Sequence, residues 1–276
     1  MLGDMVEQSF FTDTSYLQRQ YGTKDNLQIR IATHEIYSEP KVDFTTWVLD
    51  HVPWRGRERV LDVGCGSGIY RQPTQQRAPT YLAGDLSLGM LQSLPPATPR
   101  LNLDVQHLPL AANSVDVILA NHMLYHVPDQ AAAAAHFARV LKPGGYLLAA
   151  TNSRDNRLEM AHLVAQVATA CHIPLPAGFL SDGLLSFTLE NGAEVLQPHF
   201  AHVERHDLSS AFVFPHPQPV IDYIGTTRER ILANAPQGIT WEQIAEALYI
   251  RLSDHIRQHG VFRVNKVAGV FVCRKE

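Results

Sequence analysis

Between residues 58 and 151 short apolar runs alternate with polar, helix-like stretches. The runs predict five strands: Arg59–Val63, Thr80–Gly84, Leu101–Asp104, Val115–Ala120 and Tyr146–Ala150. Apolar runs of this length, separated by helical patterns, build βαβ units and therefore a mostly parallel sheet. Between the fourth and fifth runs, Asp129–Leu141 predicts a helix. It follows Pro128, opens on an acid, carries Ala131–Ala135 in its interior and stops at Lys142-Pro143-Gly144-Gly145, a breaker with a cation at its edge.

The flanks have a different grain. Residues 1–55 hold aromatic and amphipathic segments around Tyr16, Tyr21, Tyr37, Phe44, Trp47 and Trp54 but no strand-like run, which predicts helices ahead of the first strand. Arg157–Cys171 reads as a helix with Leu158, Ala161, Leu163, Val164, Val167 and Ala168 mostly on one face. Phe187–Leu196 reads as a shorter helix, His202–Leu208 as a sixth strand, and Gly260–Arg274 as a long seventh. Between those strands, Pro215, Pro217, Pro219 and Pro236 punctuate helical patterns such as Trp241–His255. That insertion is too long for a turn and too apolar for a disordered linker. The expected organisation is a helical lid over 1–55, a core over 56–212 and 259–276, and a cap over 213–258.

Composition narrows the classes of function. A chain of 276 residues, 45% hydrophobic and 18% charged, can bury a sizeable core. A net charge of -4 and the lack of any concentrated Lys/Arg run offer no field for a polyanion, so nucleic acid is not an expected partner. Cys65, Cys171 and Cys273 form no C-x-x-C pair and no even framework, which fits a reducing compartment without disulfide or zinc. The 14 histidines show no metal-ligand spacing with a supporting acid, and no metal is expected. No apolar run approaches the roughly 20 residues needed to span a bilayer. The amino terminus lacks a basic segment followed by an apolar stretch. The expectation is a cytoplasmic protein with no membrane partner.

The chemistry is concentrated in Val60-Leu61-Asp62-Val63-Gly64-Cys65-Gly66-Ser67-Gly68 and in Tyr81-Leu82-Ala83-Gly84-Asp85-Leu86-Ser87. An apolar run ending in an acid feeds a three-glycine turn, and a second run ends in another acid. A parallel sheet presents a nucleoside-containing ligand at its carboxyl edge in this way. The first glycine allows the tight turn, and the next lets backbone approach a ligand with no Cβ between them. A carboxylate at Asp85 can accept from both hydroxyls of a ribose, and it is also a good cap for a following helix. A dinucleotide-binding turn wants G-x-G-x-x-G. Here the third glycine, Gly68, comes one residue early and is followed by Ile69-Tyr70.

The G-x-G-x-G spacing resembles that of class I S-adenosylmethionine (SAM)-dependent methyltransferases. The run from Ser114 to Asp129 and Arg139-Val140-Leu141-Lys142-Pro143-Gly144-Gly145 look like the fourth strand, its following loop and the later turn of ubiquinone/menaquinone-type and other small-molecule methyltransferases. Together these motifs cover residues 58–151, about a third of the chain. The resemblance implies an α/β fold with a Rossmann-like, seven-stranded, mostly parallel sheet flanked by helices, an N-terminal helical lid and a C-terminal cap insertion. It implies SAM as cofactor, a small-molecule methyl acceptor as partner, and a set of cofactor-binding residues. Gly64, Gly66 and Gly68 would form the loop, Asp62 would orient the amino end through it, and Asp85 with Leu86 would meet the ribose. Asp104 would take the adenine amino group and the Val105 amide the ring nitrogen. Asn121 would lie by the transferred methyl, and Arg30 would supply a cation for the methionine carboxylate. His122 and Tyr125 would face the acceptor as catalytic candidates, with His126 making a structural hydrogen bond.

Methyl transfer from a sulfonium is an in-line displacement with an activated leaving group, so holding and aligning the reactants is the main task. A general base helps when the acceptor is a hydroxyl. No dedicated catalytic dyad is required, and none is legible. The aromatic residues Phe187, Phe212, Phe214, Tyr223 and Trp241 suggest a partly hydrophobic acceptor. Two other readings stay open at this point, a SAM-binding protein without catalysis and an NAD(P)-dependent oxidoreductase. The acceptor atom and the oligomeric state are not written in the sequence.

Overall fold

The computed structural model describes residues 24–176, 179–182 and 185–276. In chain order the elements are α1 (Lys24–Tyr37), β1 (Ser38–Glu39), α2 (Phe44–Leu49), β2 (Arg59–Val63), α3 (Arg71–Arg77), β3 (Thr80–Asp85), α4 (Leu88–Ser93) and β4 (Arg100–Asn102). There follow β5 (Val115–Leu119), α5 (Gln130–Val140), β6 (Leu141–Asn152), α6 (Leu158–Ala170), α7 (Gly192–Leu196), β7 (His202–Phe214), α8 (Pro217–Gly225), α9 (Arg228–Ala233), α10 (Trp241–His259) and β8 (Phe262–Arg274). Eight strands lie in the order β1-β7-β8-β6-β5-β2-β3-β4. β2 pairs in parallel with β3 and with β5, β3 with β4, and β5 with β6, whereas β8 runs antiparallel to β6. The sheet is therefore mostly parallel at its centre, as the run lengths predict.

The chain divides into two compact units. One, the sheet unit, comprises 43–153, 186–208 and 268–276; the other, the helical unit, comprises the described residues up to Val42, 154–185 and 209–267. β7 and β8 contribute residues to both.

In the sheet unit Val60, Leu61 and Val63 are buried on both faces of β2, the pattern of a central parallel strand. The core around them includes Leu49, Tyr81, Leu119, Leu148 and Val270. α5 starts where expected because the Asp129 carboxylate accepts from the Ala132 amide at 2.8 Å. Its breaker is clamped to β5 by the Lys142 ammonium, which donates to both Asp116 carboxylate oxygens at 2.8 Å. Gly269 on β8 lies close to another backbone: a Cβ there would come within 2.4 Å of the His206 carbonyl oxygen. Gly269→Ala is expected to destabilise the fold by ~2–3 kcal/mol, the usual cost of overpacking against a group that does not yield. Urea midpoints of the two proteins check this, and an unchanged midpoint counts against it.

Several elements differ from the sequence expectation, each for a local reason. The run Leu101–Asp104 pairs only over Arg100–Asn102, because Asp104 turns to cap a single 3-10 turn at Val105–His107. The helix expected over Phe187–Leu196 is reduced to Gly192–Leu196. The Asn191 side-chain oxygen accepts from the Thr188 amide at 2.7 Å and from its hydroxyl at 3.0 Å, giving the backbone an alternative to helix. The sixth strand runs on from Leu208 to Phe214, and the fifth begins at Leu141 rather than Tyr146. β1, in a region without strand pattern, is two residues long and pairs antiparallel with Ala211 and Phe212 of β7. α10 extends to His259, opened by a Thr240/Gln243 capping box and closed at Gly260.

In the helical unit the core is built from α6, α8, α10 and the ends of β7 and β8, with Val164, Phe214, Ile224, Leu248 and Val264 among its buried residues. Phe212 and Phe214 are fully buried, Tyr223 is 5% exposed, and Trp241 packs against that core. Phe187, in the sheet unit, is also fully buried and packs edge-on against Phe271. These aromatics account for packing and give no information on the polarity of an acceptor. Tyr16 and Tyr21 lie outside the described residues.

Candidate functional site

β2 has β5 on one side and β3 on the other, so connections leave it in opposite directions. In an open α/β sheet that switch point, beyond the carboxyl ends of the strands, is where a ligand crevice forms. The chain places the glycine turn there. Gly64, Gly66 and Gly68 have φ of +63°, +52° and +76°, a region in which other residues are strained. A Cβ on Gly64 would come within 2.7 Å of Met123, whereas one on Gly66 would meet nothing within 4 Å. The turn is thus packed against the loop after β5 at its first glycine and open at its second.

Asp85 ties the turn to β3. Its Oδ2 accepts from the Gly66 amide at 2.9 Å and its Oδ1 from the Ser87 amide at 2.8 Å. The cap of α4 is Ser87, not Asp85. The Asn102 side chain donates to the carbonyls of Asp85 and Leu86 at 2.9 Å each, fixing the next turn from β4. Leu86 itself is 61% exposed, and Ile69 and Leu88 expose similar fractions. Three solvent-facing apolar side chains thus follow the glycines and the acid.

Asp62 is interior, 2% exposed, and its Oδ2 accepts from the Tyr81 hydroxyl at 2.6 Å. Burial raises its carboxyl to about 7, the Asp85 charge adds to the rise, and the Tyr81 bond opposes it. Burial likewise pushes the Cys65 thiol upward, which makes it an inert, buried side chain. Asp104 accepts from the Gln106 amide at 2.9 Å. Its partial burial acts to raise the carboxyl, but hydrogen bonds from Gln106 and His107 outweigh that and leave it below the ordinary value. Val105 is buried at the start of the same 3-10 turn.

Asn121 and His122 leave the end of β5. Asn121 is 8% exposed; its Oδ1 accepts from the Ala150 amide at 3.1 Å, while its buried Nδ2 has no partner among the described residues. His122 has a φ of +54°, unusual for a side chain of its size, and its amide donates to the Ala150 carbonyl at 2.8 Å. Its ring lies 5.4 Å from that of Phe44. Tyr125 sits in the 3-10 turn Leu124–His126, with its ring 4.5 Å from that of His126, whose amide donates to the Met123 carbonyl.

The carboxyl ends of β2, β3, β4 and β5 therefore gather Asp62, Gly64, Gly66, Gly68, Asp85, Leu86, Asp104, Val105, Asn121, His122 and Tyr125 in the sheet unit. Arg30 belongs to the helical unit, where its Nε donates to the Thr226 hydroxyl at 3.0 Å. Sequence reasoning missed Tyr81 and Asn102. Both act across strands, so only the register, with Tyr81 opposite Val60 and Asn102 opposite Asp85, shows them. Among the described residues no three His, Cys, Asp or Glu side chains are grouped to hold a metal ion.

A family model described as a methyltransferase domain matches residues 61–149. This span holds the glycine turn, Asp85, Asp104 and the loop after β5. Residues 61–149 thus resemble a methyltransferase domain. Among curated relatives, a malonyl-[acyl-carrier protein] O-methyltransferase of Yersinia pestis is 30% identical over 149 residues, covering 52% of this chain and 56% of the relative. A ubiquinone biosynthesis O-methyltransferase of Paracidovorax citrulli is 31% identical over 131 residues, covering 43% and 53%. The chain thus spans about half the length of these relatives. Of solved structures, the YcgJ protein from Bacillus subtilis matches with a TM-score of 0.53 at 14% identity, covering 85% of this chain and 99% of that one. Phosphoethanolamine N-methyltransferase 2 of Haemonchus contortus, solved with S-adenosylhomocysteine and phosphomonomethylethanolamine, matches with a TM-score of 0.52 at 17% identity. It is covered over 59% of its length and covers 96% of this chain. Both similarities concern the fold.

The residues at this carboxyl edge fit S-adenosylmethionine, the cofactor that the resemblance implies. The open side of Gly66 leaves backbone accessible, and Asn121 Nδ2 is a buried donor still lacking an acceptor. Asp85 holds the turn with one lone pair of each oxygen and keeps capacity for further donors.

Proposed function

We propose that this protein transfers the methyl group of S-adenosylmethionine to an oxygen of a small-molecule acceptor. The observation that carries this reading is the convergence of the open glycine turn, Asp85 and the unpartnered Asn121 amide at the switch point of a methyltransferase domain. The oxygen acceptor is taken from the two curated relatives, both O-methyltransferases.

When bound, the cofactor supplies a methyl on a sulfonium, with a leaving group that needs no protonation. The protein's own residues then bind and align. Asp85 would receive the ribose hydroxyls, Leu86 would cover one side of the nucleoside, and Asp104 and the Val105 amide would read the base. Asp62 would act through the turn on the amino end, and Asn121 Nδ2 would donate to the cofactor near the reacting carbon. His122 and Tyr125 are the side chains proposed to face the acceptor. The left-handed backbone of His122 is the kind of strain retained where a side chain must be aimed. Arg30 is left out of this set because it belongs to the other compact unit. A cytoplasmic setting is proposed on the three free cysteines. Among the described residues no helix is long and apolar enough to cross a membrane.

The test is incubation with methyl-labelled SAM and a metabolite extract. Label in the small-molecule fraction supports the reading. Tight S-adenosylhomocysteine binding with no transfer to any acceptor favours a non-catalytic SAM-binding protein, and binding of NADH in its place overturns the reading altogether.

A further inference from the structure

The helical unit concentrates positive charge around two aromatic side chains that meet edge-on, apart from anything the methyl-transfer reading uses. Phe212 and Tyr223 pack with ring centroids 5.6 Å apart. The guanidinium carbons of Arg30 and Arg157 each lie 5.8 Å from the Tyr223 centroid, and Lys266 Nζ lies 3.9 Å from that of Phe212. His34 adds its ring 4.7 Å from Phe212, and its Nδ1 is 3.5 Å from Lys266 Nζ. Four nitrogen-bearing side chains from α1, β8 and the entry to α6 thus surround one aromatic pair.

The anions do not match the cations. Among the described residues the carboxylate bonded to this group is that of Asp182, which accepts from Arg157 Nη2 at 2.8 and 3.1 Å and from Asn156 at 2.6 Å. Arg30 bonds to the neutral Thr226 hydroxyl, and Lys266 donates to the Ser38 hydroxyl at 2.7 Å. Arg157 also donates to the Tyr223 hydroxyl, yet its buried Nε has no partner. Its own backbone is held at a φ of +61°. Lys266 is 9% exposed. Burial and the charge of Arg157 lower its ammonium to about 8, the response of a cation lacking a counter-ion. Glu35 and Glu39, on the same stretch as His34 and Ser38, are exposed.

A buried cation short of an anion, as Lys266 is here, is costly unless a ligand completes the pairing. We propose that Arg30, Arg157 and Lys266 form a binding site for the oxyanion of a small molecule, a carboxylate or a phosphate. Arginine suits planar, two-point contact with either group, and the lysine adds a point charge. Arg30 is half-buried and the Arg157 side chain is 21% exposed, so part of each side chain reaches solvent.

Calorimetric titration of the full chain near neutral pH, in dilute buffer, tests this. Inorganic phosphate is the ligand in one arm and malonate in the other, with sodium chloride at matched ionic strength as reference. The expected result is saturable one-to-one binding of phosphate or malonate beyond the chloride response, the tighter arm naming the source. Arg30→Gln and Lys266→Met are each expected to weaken it at least about tenfold, the loss of one charged hydrogen bond. Should Lys266→Met fail to fold, Arg30→Gln, at a half-buried position, carries the comparison. In an NMR titration of the wild-type lysines, the Lys266 midpoint is expected to rise when the anion is bound. Neither anion binding beyond chloride, or equal binding by the variants, overturns the proposal. These readouts use no SAM, so their failure is separate from failure of methyl transfer.

Discussion

Asp85→Ala is expected to weaken S-adenosylhomocysteine binding by at least about a hundredfold. The carboxylate makes two hydrogen bonds in the structure, to the amides of Gly66 and Ser87, and these set the shape of the glycine turn. Bonds to a charged acceptor contribute about 1.5–3 kcal/mol each, so losing two of them, together with contacts to the ribose, reaches that factor. Part of the cost falls on the free protein, because the turn loses its anchor before any ligand arrives. Asp85→Asn keeps one acceptor oxygen and is expected to fall between wild type and alanine. Calorimetry with S-adenosylhomocysteine reads all three proteins. An alanine variant within about threefold of wild type, well under 1 kcal/mol, would sink the assignment.

The second large effect is on stability and its pH dependence, at Asp62. Its carboxyl ordinarily titrates at 3.8 and is raised to about 7 in the folded chain, chiefly by burial. A raised acid is stabilised in its protonated form by folding. Below pH 4 both folded and unfolded chains are protonated at this position, and its full stabilising contribution is present. As the pH rises from 4 towards 7 the unfolded chain releases the proton while the folded chain keeps it, and stability drains away by about 1.4 kcal/mol per pH unit. By pH 7–8 the loss reaches about 4 kcal/mol and stops growing. Asp62→Asn keeps an oxygen for the Tyr81 hydroxyl and removes the titration. Relative to wild type, the variant should therefore gain stability between pH 4 and pH 8. The check is the difference in urea midpoints between the two proteins at pH 5 and at pH 8. A difference that does not change with pH would show that Asp62 titrates normally.

Legibility in the sequence followed how local each signal is. Arg59–Val63 and Val115–Leu119 are visible because continuous apolar runs bounded by polar residues are strands in any parallel sheet. Trp241–His255 is visible from its helical pattern, whereas the last turn to His259 and the Thr240/Gln243 capping box emerge only in the structure. The Phe187–Leu196 stretch misled because a helical apolar spacing does not reveal that Asn191 will bond back to Thr188. β1 was illegible because two residues carry no period, and its pairing with Ala211 and Phe212 comes from β7, far along the chain. At the candidate site the acids and glycines stand in the sequence, but Tyr81 beside Asp62 and Asn102 beneath Asp85 and Leu86 need strand register to be seen.

By itself the sequence determined the class of sheet, the position of the glycine turn and the acids that follow each strand. These depend on runs of neighbouring residues and on backbone conformations that glycine permits. Only the tertiary structure decided that Asp85 holds Gly66, that Asp62 is buried with a raised carboxyl, and that the aromatics of the insertion are core. It also decided that Arg30 stands with Arg157 and Lys266 around Tyr223 and Phe212. Burial, charge balance and cross-strand hydrogen bonds are properties of residues distant in sequence and adjacent in space, and no local pattern encodes them.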